Sequence, residues 1–335
     1  MNLKTNLDAL TMETAVLGGA VLGGGGGGKL EDGLHLGALA TAQGGACLLD
    51  SASLPQMIVA AVMPVYTSSH QTHQIDPIQI HCALETLQHE LGTAVSGLVS
   101  GGSGAVETMI GWELSAYSNI PLLDACVPAT FHPAALQNLL LFLCETAVSQ
   151  RFTICLVNNH QQAQIWNGQP TQLLQQLTAL PPDATYIAAV GPLSPTALTC
   201  QASKSSISDA LRIGQLLLAT NDNGGEDTIV ALQTILPTQF STFASVTEIS
   251  WHGQGQEAYG LIHMRDVANR QLQLTYGQRY TKLSVDNKKI AAFPDLIITL
   301  GTLGTPLTGE EVFLGQDLYL IVARQERPLR NCLSI

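Results

Sequence analysis

The stretch Met57-Ile58-Val59-Ala60-Ala61-Val62-Met63 decides the fold class. It contains no polar side chain, and a strand buried on both faces is typical of a parallel sheet covered by helices. Asp76-Pro77-Ile78-Gln79 follows, with an N-cap residue, a proline at the first helical position and a capping-box glutamine in order. Further strand-like and helix-like segments alternate up to about residue 157. This order predicts βαβ units, and therefore an N-terminal three-layer α/β/α domain with a mostly parallel sheet.

The second half of the chain has a different pattern. From about residue 240 onward, short segments alternate polar and apolar residues, as in Gln271-Leu272-Gln273-Leu274-Thr275-Tyr276. Such segments predict a C-terminal β-barrel-like domain or a sandwich. We therefore expect an α/β domain over residues 1–165 and a C-terminal part over residues 166–335. Within the C-terminal part, a helix at 206–219 is expected to pack on the α/β domain.

Composition restricts the partners. Of the 335 residues, 46% are hydrophobic and only 12% are charged, about half of the usual charged share. We expect extensive burial and an apolar surface covered by another copy, which predicts a homo-oligomer. The net charge is −12, with 14 basic and 26 acidic residues. Because no dense Lys/Arg cluster is present, neither nucleic acid nor an acidic membrane surface is an expected partner.

Cysteine usage and the N-terminus bear on location. The seven cysteines never form a C-x-x-C pair, and Cys155 lies in an apolar run, which indicates a reducing compartment. Asp8 and Glu13 interrupt the segment where a secretory signal would be apolar. No apolar run approaches the ~20 residues of a membrane span. We expect a cytoplasmic protein.

Six consecutive glycines, Gly23 to Gly28, precede Lys29. Leu30 occupies the position where a phosphate-binding loop has Ser or Thr, so no nucleotide is expected. Two interpretations stay open: a nest of backbone N–H groups for a carboxylate or ring oxygen, or close packing of bare backbone against the second domain. We prefer the nest. It assigns a small-molecule-binding role to Gly24, Gly25, Gly26, Gly27, Gly28 and Lys29, and to the glycine segment Gly101, Gly102 and Ser103.

Candidate catalytic residues follow a predicted strand, at the position where α/β proteins place ligand-contacting side chains. Asp124 could orient a substrate N–H or act as a base. Cys126 could be a nucleophile if His132 stabilised its thiolate. The alternative is that Cys126 is packed and Asp124 caps a turn.

Histidines provide a candidate metal site. His70 and His73, with Asp76 and His81 downstream, have the composition of a metal site. They are also consistent with a solvated loop, an N-cap and an exposed helix contact between His81 and Glu85. The cofactor is therefore unknown from the sequence, with a divalent metal as the open candidate.

The order of several motifs resembles the S-methyl-thiohydantoin desulfurase-domain family. The matching segments are Leu17-Gly18-Gly19 with the glycine run, Pro121-Leu122-Leu123-Asp124-Ala125, residues 205–214, Pro294-Asp295-Leu296-Ile297 and residues 309–316. The resemblance implies a three-layer α/β domain followed by a β-barrel domain. It also implies hydrolysis at a ring carbon of a small hydantoin-like or thiohydantoin-like heterocycle.

The chain departs from the family at three places. No acidic residue precedes Gly101-Gly102, residues 126–133 lack the family's acid and arginine, and Gly277-Gln278-Arg279 replaces a Gln-Asn-Glu signature. These losses favour an alternative function, that of a non-catalytic small-molecule-binding or regulatory subunit. The low charged fraction is also consistent with a structural partner subunit.

Overall fold

The computed structural model describes residues 4–44, 46–50, 57–67, 75–126, 131–181, 184–194, 207–220, 224–253 and 258–324. Two eight-stranded sheets organise these residues. None of the helices in the described ranges is both long enough and apolar enough for a membrane span.

The first sheet lies in the N-terminal part. Its strands are β1 (Lys4–Leu7), β2 (Ala46–Leu49), β3 (Val59–Tyr66), β4 (Gly97–Ser100), β5 (Leu122–Cys126), β6 (Phe152–Asn158), β7 (Ala163–Gly168) and β8 (Thr185–Leu193). Their order is β1-β2-β5-β4-β3-β8-β6-β7. The neighbours from β2 to β3 pair in parallel, and the remaining pairs are antiparallel. Strands β2 to β6 therefore point in one direction and β1, β7 and β8 in the other.

Helices cover both faces of this sheet. They are α1 (Ala9–Leu22), α2 (Leu30–Ala42), α3 (Pro77–Leu91), α4 (Ala105–Ser118), α5 (Ala135–Thr146), α6 (Pro170–Leu177) and α7 (Ile207–Thr220). A further helix, α8 (Gly225–Gln233), packs against the second sheet, where Leu232 shares a core cluster with Ile298 and Ile321. One core cluster joins one sheet face to α1–α4, and a second joins the opposite face to α5 and α6. The predicted three-layer α/β/α architecture is confirmed.

Helix α3 begins and ends as its sequence predicts. Asp76 Oδ1 accepts a hydrogen bond from the Ile78 N–H at 2.9 Å, and Gln79 Oε1 accepts one from the Asp76 N–H at 3.2 Å. Gly92 ends the helix with φ of 62°, a left-handed conformation that glycine adopts without a Cβ penalty.

The second sheet is entirely antiparallel. Its strands are β9 (Thr238–His252), β10 (Tyr259–Asp266), β11 (Gln271–Tyr276), β12 (Tyr280–Val285), β13 (Lys288–Ala292), β14 (Leu296–Gly301), β15 (Pro306–Leu307) and β16 (Asp317–Ala323). Their order is β13-β12-β11-β10-β9-β16-β14-β15. Although β12 and β14 lie far apart in this order, the Tyr280 hydroxyl and Thr299 Oγ1 are 2.9 Å apart. The sheet therefore curls around one core, as a barrel-like domain requires.

The first sheet extends past residue 165, the expected border between the two parts. Strands β7 and β8 pair with the first sheet, which extends to Leu193. Helix α7 then packs on α1 so closely that Gly18 faces the Ala210 backbone and Gly214 faces the Thr14 backbone. A Cβ atom at either glycine would overlap a carbonyl oxygen, so this contact requires both glycines.

Candidate functional site

The glycine loop connects α1 to α2 and binds both halves of the molecule. The Gly24 carbonyl accepts a hydrogen bond from the Tyr280 N–H of β12, and the Gly25 carbonyl accepts one from the Gly309 N–H that follows β15, each at 2.8 Å. The Gly27 carbonyl accepts from the N–H groups of Val106 and Glu107 at 2.9 and 3.2 Å. These two N–H groups belong to the first turn of α4. Backbone N–H groups in the first turn of a helix have no acceptor within that helix. The loop therefore caps α4 and joins it to the second sheet.

Bare backbone is required in this loop. Gly24, Gly25, Gly27 and Gly28 all have positive φ, between 55° and 88°. A Cβ at Gly25 would overlap the Tyr280 ring, and one at Gly26 would overlap the Gln278 carbonyl oxygen. The close-packing interpretation thus describes the outer side of the loop correctly.

The same loop also lines a small cleft between the two sheets. The cleft is bounded by Gly25, Gly26, Gly27, Gly28, Tyr66, Tyr276, Gly277, Gln278, Thr308 and Glu310. Within the described ranges, the N–H groups of Gly25, Gly27 and Gly28 donate no hydrogen bond to the protein. The loop therefore packs closely on one side and lines the cleft on the other. The binding of a ligand by its N–H groups stays a prediction.

One carboxylate and two phenols are among the polar side chains of the cleft. The Tyr276 hydroxyl donates to Glu310 Oε1 at 3.4 Å. Burial, together with the nearby Glu310 charge, raises the pKa of Tyr276, and burial raises that of Tyr66. Both phenols therefore stay protonated at neutral pH and can donate hydrogen bonds. The Gln278 amide donates to the Tyr66 carbonyl at 2.9 Å and so joins the two sheets across the cleft.

The neighbouring carboxylate, Glu311, has a structural task. Its Oε2 accepts from the N–H and hydroxyl of Thr308 at 2.8 and 2.7 Å. Its Oε1 accepts from the Leu30 N–H at 3.3 Å, at the first residue of α2. A carboxylate at a helix N-terminus is stabilised by the helix dipole. Glu311 therefore fixes the cleft wall to α2, while Glu310 faces the cleft.

A buried ion pair lies behind the glycine loop. Arg279 Nη2 is 2.5 Å from Glu107 Oε2, and each side chain is only 7% exposed. The same nitrogen donates to the Ser103 carbonyl at 3.0 Å. Burial raises the pKa of Glu107, and the Arg279 guanidinium opposes that rise. The pair links α4 to the second sheet.

Several predicted binding residues support the cleft without lining it. Gly102 packs against the Glu107 carboxylate, where a Cβ would overlap it. The Gly101 N–H donates to the Val62 carbonyl at 2.9 Å. Lys29 is the N-cap residue of α2, with extended backbone, and it is not among the residues that bound the cleft. The segments around residues 29 and 101–103 thus hold the loop and the ion pair in place.

Asp124 caps a helix rather than facing the glycine loop. Its carboxylate accepts from the Ser208 N–H at 3.1 Å and from the Ser208 hydroxyl at 2.5 Å. Ser208 lies in the first turn of α7. Backbone N–H groups in this first turn have no acceptor within the helix. The capping alternative for Asp124 is therefore the one that the contacts support, although the turn that it caps belongs to a helix far along the chain.

His132 has a comparable task. Its Nδ1 accepts from the Ala134 N–H at 3.0 Å, at the start of α5, and burial lowers its pKa. The ring is therefore neutral with the proton on Nε2, the tautomer that an accepting Nδ1 requires. Cys126 ends β5, and its side chain lies outside the described part. No hydrogen bond joins Asp124 to His132 within the described residues.

Replacing Asp124 with alanine tests this assignment. We expect a loss of about 0.5–2 kcal/mol in the free energy of unfolding, the usual effect of removing a side-chain helix cap. Asp76→Ala, which removes the cap of α3, is the matched control and should cost a similar amount in urea unfolding. If Asp124→Ala were as stable as the parent but lost a cleft-dependent activity, the catalytic assignment would be restored.

Metal binding gains no support from the described residues. They contain no group of three or more His, Cys, Asp or Glu side chains that could hold an ion. His70 and His73 lie outside the described residues. His81 bonds to Glu113 at 2.6 Å through Nε2, rather than to Glu85.

Comparison with known proteins finds a similarity for the N-terminal part. The family model described as "S-Me-THD-like, N-terminal domain" matches residues 11–135. This segment is similar to that N-terminal domain. It includes the glycine loop, Tyr66 and Glu107, whereas Tyr276, Gln278 and Glu310 come from the later part of the chain. The family resemblance predicted from the sequence is confirmed over these residues.

A solved structure shares the fold of the whole chain. The crystal structure of a protein from Chromobacterium violaceum superposes with a TM-score of 0.69 at 16% sequence identity. The match covers 97% of this chain and 93% of that one. At this identity the likeness concerns the fold alone, so the combination of the two sheets occurs in another protein. No curated protein matches the sequence.

Proposed function

We propose that the cleft binds a small hydantoin-like or thiohydantoin-like heterocycle and that the protein hydrolyses it at a ring carbon. One observation carries the proposal: backbone N–H donors of the glycine loop and the Glu310 carboxylate line the same cleft between the sheets. A cyclic amide presents a C=O acceptor and an N–H donor side by side. The backbone N–H groups would donate to the C=O group, and the Glu310 carboxylate would accept from the N–H group. The S-Me-THD-like domain supports the choice of ring.

The N–H groups of Gly25, Gly27 and Gly28 would donate to a ring oxygen, and the phenol of Tyr66 adds one further donor. Donors of this kind stabilise negative charge that develops on oxygen when water adds to a carbonyl carbon. Because they are fixed by close packing of the loop, they need no reorganisation during the reaction. The predicted role of the glycine loop is thus retained, with a ring oxygen as its ligand.

Glu310 would act as the base in place of Asp124. Its carboxylate would take a proton from a water molecule while the water oxygen bonds to the ring carbon, and the proton would then pass to the ring nitrogen as the C–N bond breaks. Positioned proton transfer of this kind contributes about 10²–10⁴-fold to the rate. Tyr276, which donates to Glu310, would hold the carboxylate in place.

Glu310→Gln tests this assignment with hydantoin and 2-thiohydantoin as probes. Turnover is followed by chromatography of the ring and its opened product. We expect kcat/KM to fall about 10²–10⁴-fold while the thermal unfolding midpoint changes little. Glu248→Gln, an exposed change in the same sheet, is the control and should retain activity. Equal activity of the Glu310→Gln variant would remove Glu310 from the mechanism.

A non-catalytic small-molecule-binding subunit is the second candidate. It is favoured by the engagement of Asp124 and His132 in helix capping, which leaves one carboxylate and no cysteine or histidine among the residues that bound the cleft. In that case the same probes should raise the unfolding temperature without any ring opening. Conversion of either probe by the parent protein excludes this candidate.

A further inference from the structure

The side-chain amide of Gln278 is fixed at its nitrogen by a contact with the first sheet. Its Nε2 donates to the Tyr66 carbonyl at 2.9 Å. A carbonyl oxygen only accepts hydrogen bonds, so the amide atom that contacts it must be the nitrogen, and the amide cannot be reversed. Gln278 bounds the cleft, and its Oε1 accepts no hydrogen bond from the described residues. This oxygen is therefore an acceptor of fixed orientation at the cleft.

The backbone on both sides of Gln278 holds this amide in place. The Gly277 N–H donates to the Arg279 carbonyl at 3.0 Å, and the Tyr280 N–H donates to the Gly24 carbonyl at 2.8 Å. The Arg279 side chain also belongs to the buried ion pair behind the glycine loop. An acceptor that is already ordered loses little freedom when a ligand binds, so its hydrogen bond contributes more to affinity.

The glycine loop contacts two segments that carry acceptors. The Gly309 N–H donates to the Gly25 carbonyl at 2.8 Å, and Glu310 follows directly in the chain. A Cβ at Gly26 would overlap the Gln278 carbonyl oxygen, so these two backbones are in contact. The backbone donors of the loop therefore lie near a carboxylate on one segment and near an amide oxygen on the other.

We propose that Gln278 Oε1 accepts a hydrogen bond from a second ring N–H and so selects rings in which a C=O lies between two N–H groups. This inference rests on the proposed function, which places a ring C=O at the loop donors and one ring N–H at Glu310. A hydantoin has this order of groups at its urea carbon, whereas a simple lactam or imide has a single N–H. Gln278 is thus a specificity-determining residue, and the ligand class is a cyclic urea.

A ligand without the second N–H is penalised because it leaves the amide oxygen of Gln278 unsatisfied. Such a ligand removes the oxygen from water and offers it no donor, which weakens binding about 5- to 150-fold for a buried acceptor. Sites that hydrogen-bond a substrate group reject analogues without that group for the same reason. Because Gln278 is half-buried, we expect the lower part of this range, about 5- to 30-fold.

Hydantoin and succinimide are matched ligands for the test. Succinimide has a CH2 group in place of one ring N–H of hydantoin and otherwise the same five-membered dicarbonyl ring. Succinimide would donate its single N–H to the Glu310 carboxylate, the stronger acceptor, and leave Gln278 without a donor. Titration calorimetry of the parent protein should therefore give a Kd for hydantoin about 5- to 30-fold lower than for succinimide. The cyclic urea 2-imidazolidinone, which lacks the second carbonyl, should also bind more tightly than succinimide.

The Gln278→Met variant separates ligand recognition from a structural role. Methionine retains the length of the side chain and removes the amide, so the ratio of the Kd values for succinimide and hydantoin should approach one. Loss of the bond to the Tyr66 carbonyl alone would weaken both ligands and leave this ratio unchanged. Gln271→Met is the control, an exposed change on β11 outside the cleft, and should keep the ratio of the parent protein.

Binding is measured by calorimetry and ring opening by chromatography of the same samples, so the two proposals can fail separately. Equal Kd values for hydantoin and succinimide in the parent protein, or a parent-like ratio in Gln278→Met, would overturn the role of Gln278. Selective binding of hydantoin without ring opening would support that role and contradict only the hydrolysis. Binding of neither ring would overturn both proposals.

Discussion

Arg279→Met is expected to lower the free energy of unfolding by about 3–5 kcal/mol, the range seen when one partner of a buried ion pair is removed. The loss arises because Glu107 would keep its buried position without the guanidinium that neutralises it. The Ser103 carbonyl would lose its donor as well. Methionine retains most of the apolar volume, so the effect reports on charge rather than on a cavity.

Urea unfolding at neutral pH measures this change, and two variants make the result specific. Arg265→Met is the matched control: Arg265 is exposed and donates to Asn269 Oδ1 at 2.7 Å, so it should cost less than about 0.5 kcal/mol. Adding Glu107→Gln to Arg279→Met should recover much of the loss, because an amide needs no counter-charge. A loss no larger than that of the Arg265→Met control would mean that the pair does not hold the sheets together.

The loss of unfolding free energy caused by Arg279→Met should depend on pH in a definite direction. Burial already raises the pKa of Glu107, and loss of Arg279 removes the group that opposes the rise. A carboxyl with a raised folded pKa favours the folded state in its protonated form. The deficit of the variant should therefore be largest at neutral pH and shrink as the pH falls toward the ordinary glutamate value of about 4.3.

Local sequence signals predicted the elements whose causes are local. The apolar run at 57–63 and the Asp76–Gln79 capping box specify a buried strand and a helix start within a few residues, and β3 and α3 form there. The first sheet runs past the expected border at residue 165 for a non-local reason. Strands β7 and β8 complete the first sheet by pairing with β6 and β3, and strand pairing partners cannot be read from a strand's own residues.

The candidate site also contains one part that a local sequence signal predicts and other parts that depend on distant residues. The glycine loop was predictable because six consecutive glycines are a local signal. Its partners Tyr66, Tyr276 and Glu310 are distant in sequence and meet only when the two sheets pack together. Asp124 occupies the strand end where α/β proteins place both catalytic and capping groups. Only the contact with Ser208, 84 residues later, distinguishes the two roles.

Gly27→Ala is the second change with a large expected effect, about 3–5 kcal/mol of unfolding free energy, from left-handed backbone and overpacking together. Gly27 has φ of 80°, and a Cβ there would overlap the Gly104 Cα and lie 3.1 Å from the Ser103 carbonyl oxygen. All of these neighbours are backbone, so they cannot turn aside as a side chain could. Moving the loop instead would break the hydrogen bonds from Val106 and Glu107 to the Gly27 carbonyl.

The Gly315→Ala variant separates the cost of left-handed backbone from the cost of overpacking. Gly315 has φ of 81°, and a Cβ there would meet nothing within 4 Å. It should therefore show only the conformational cost of a left-handed alanine, about 1–2 kcal/mol. The excess loss in Gly27→Ala then measures the close approach of the loop to α4. If the two alanine variants unfolded with equal free energies, the loop would have room to relax, and its N–H groups could not be the rigid donors that the proposed chemistry requires.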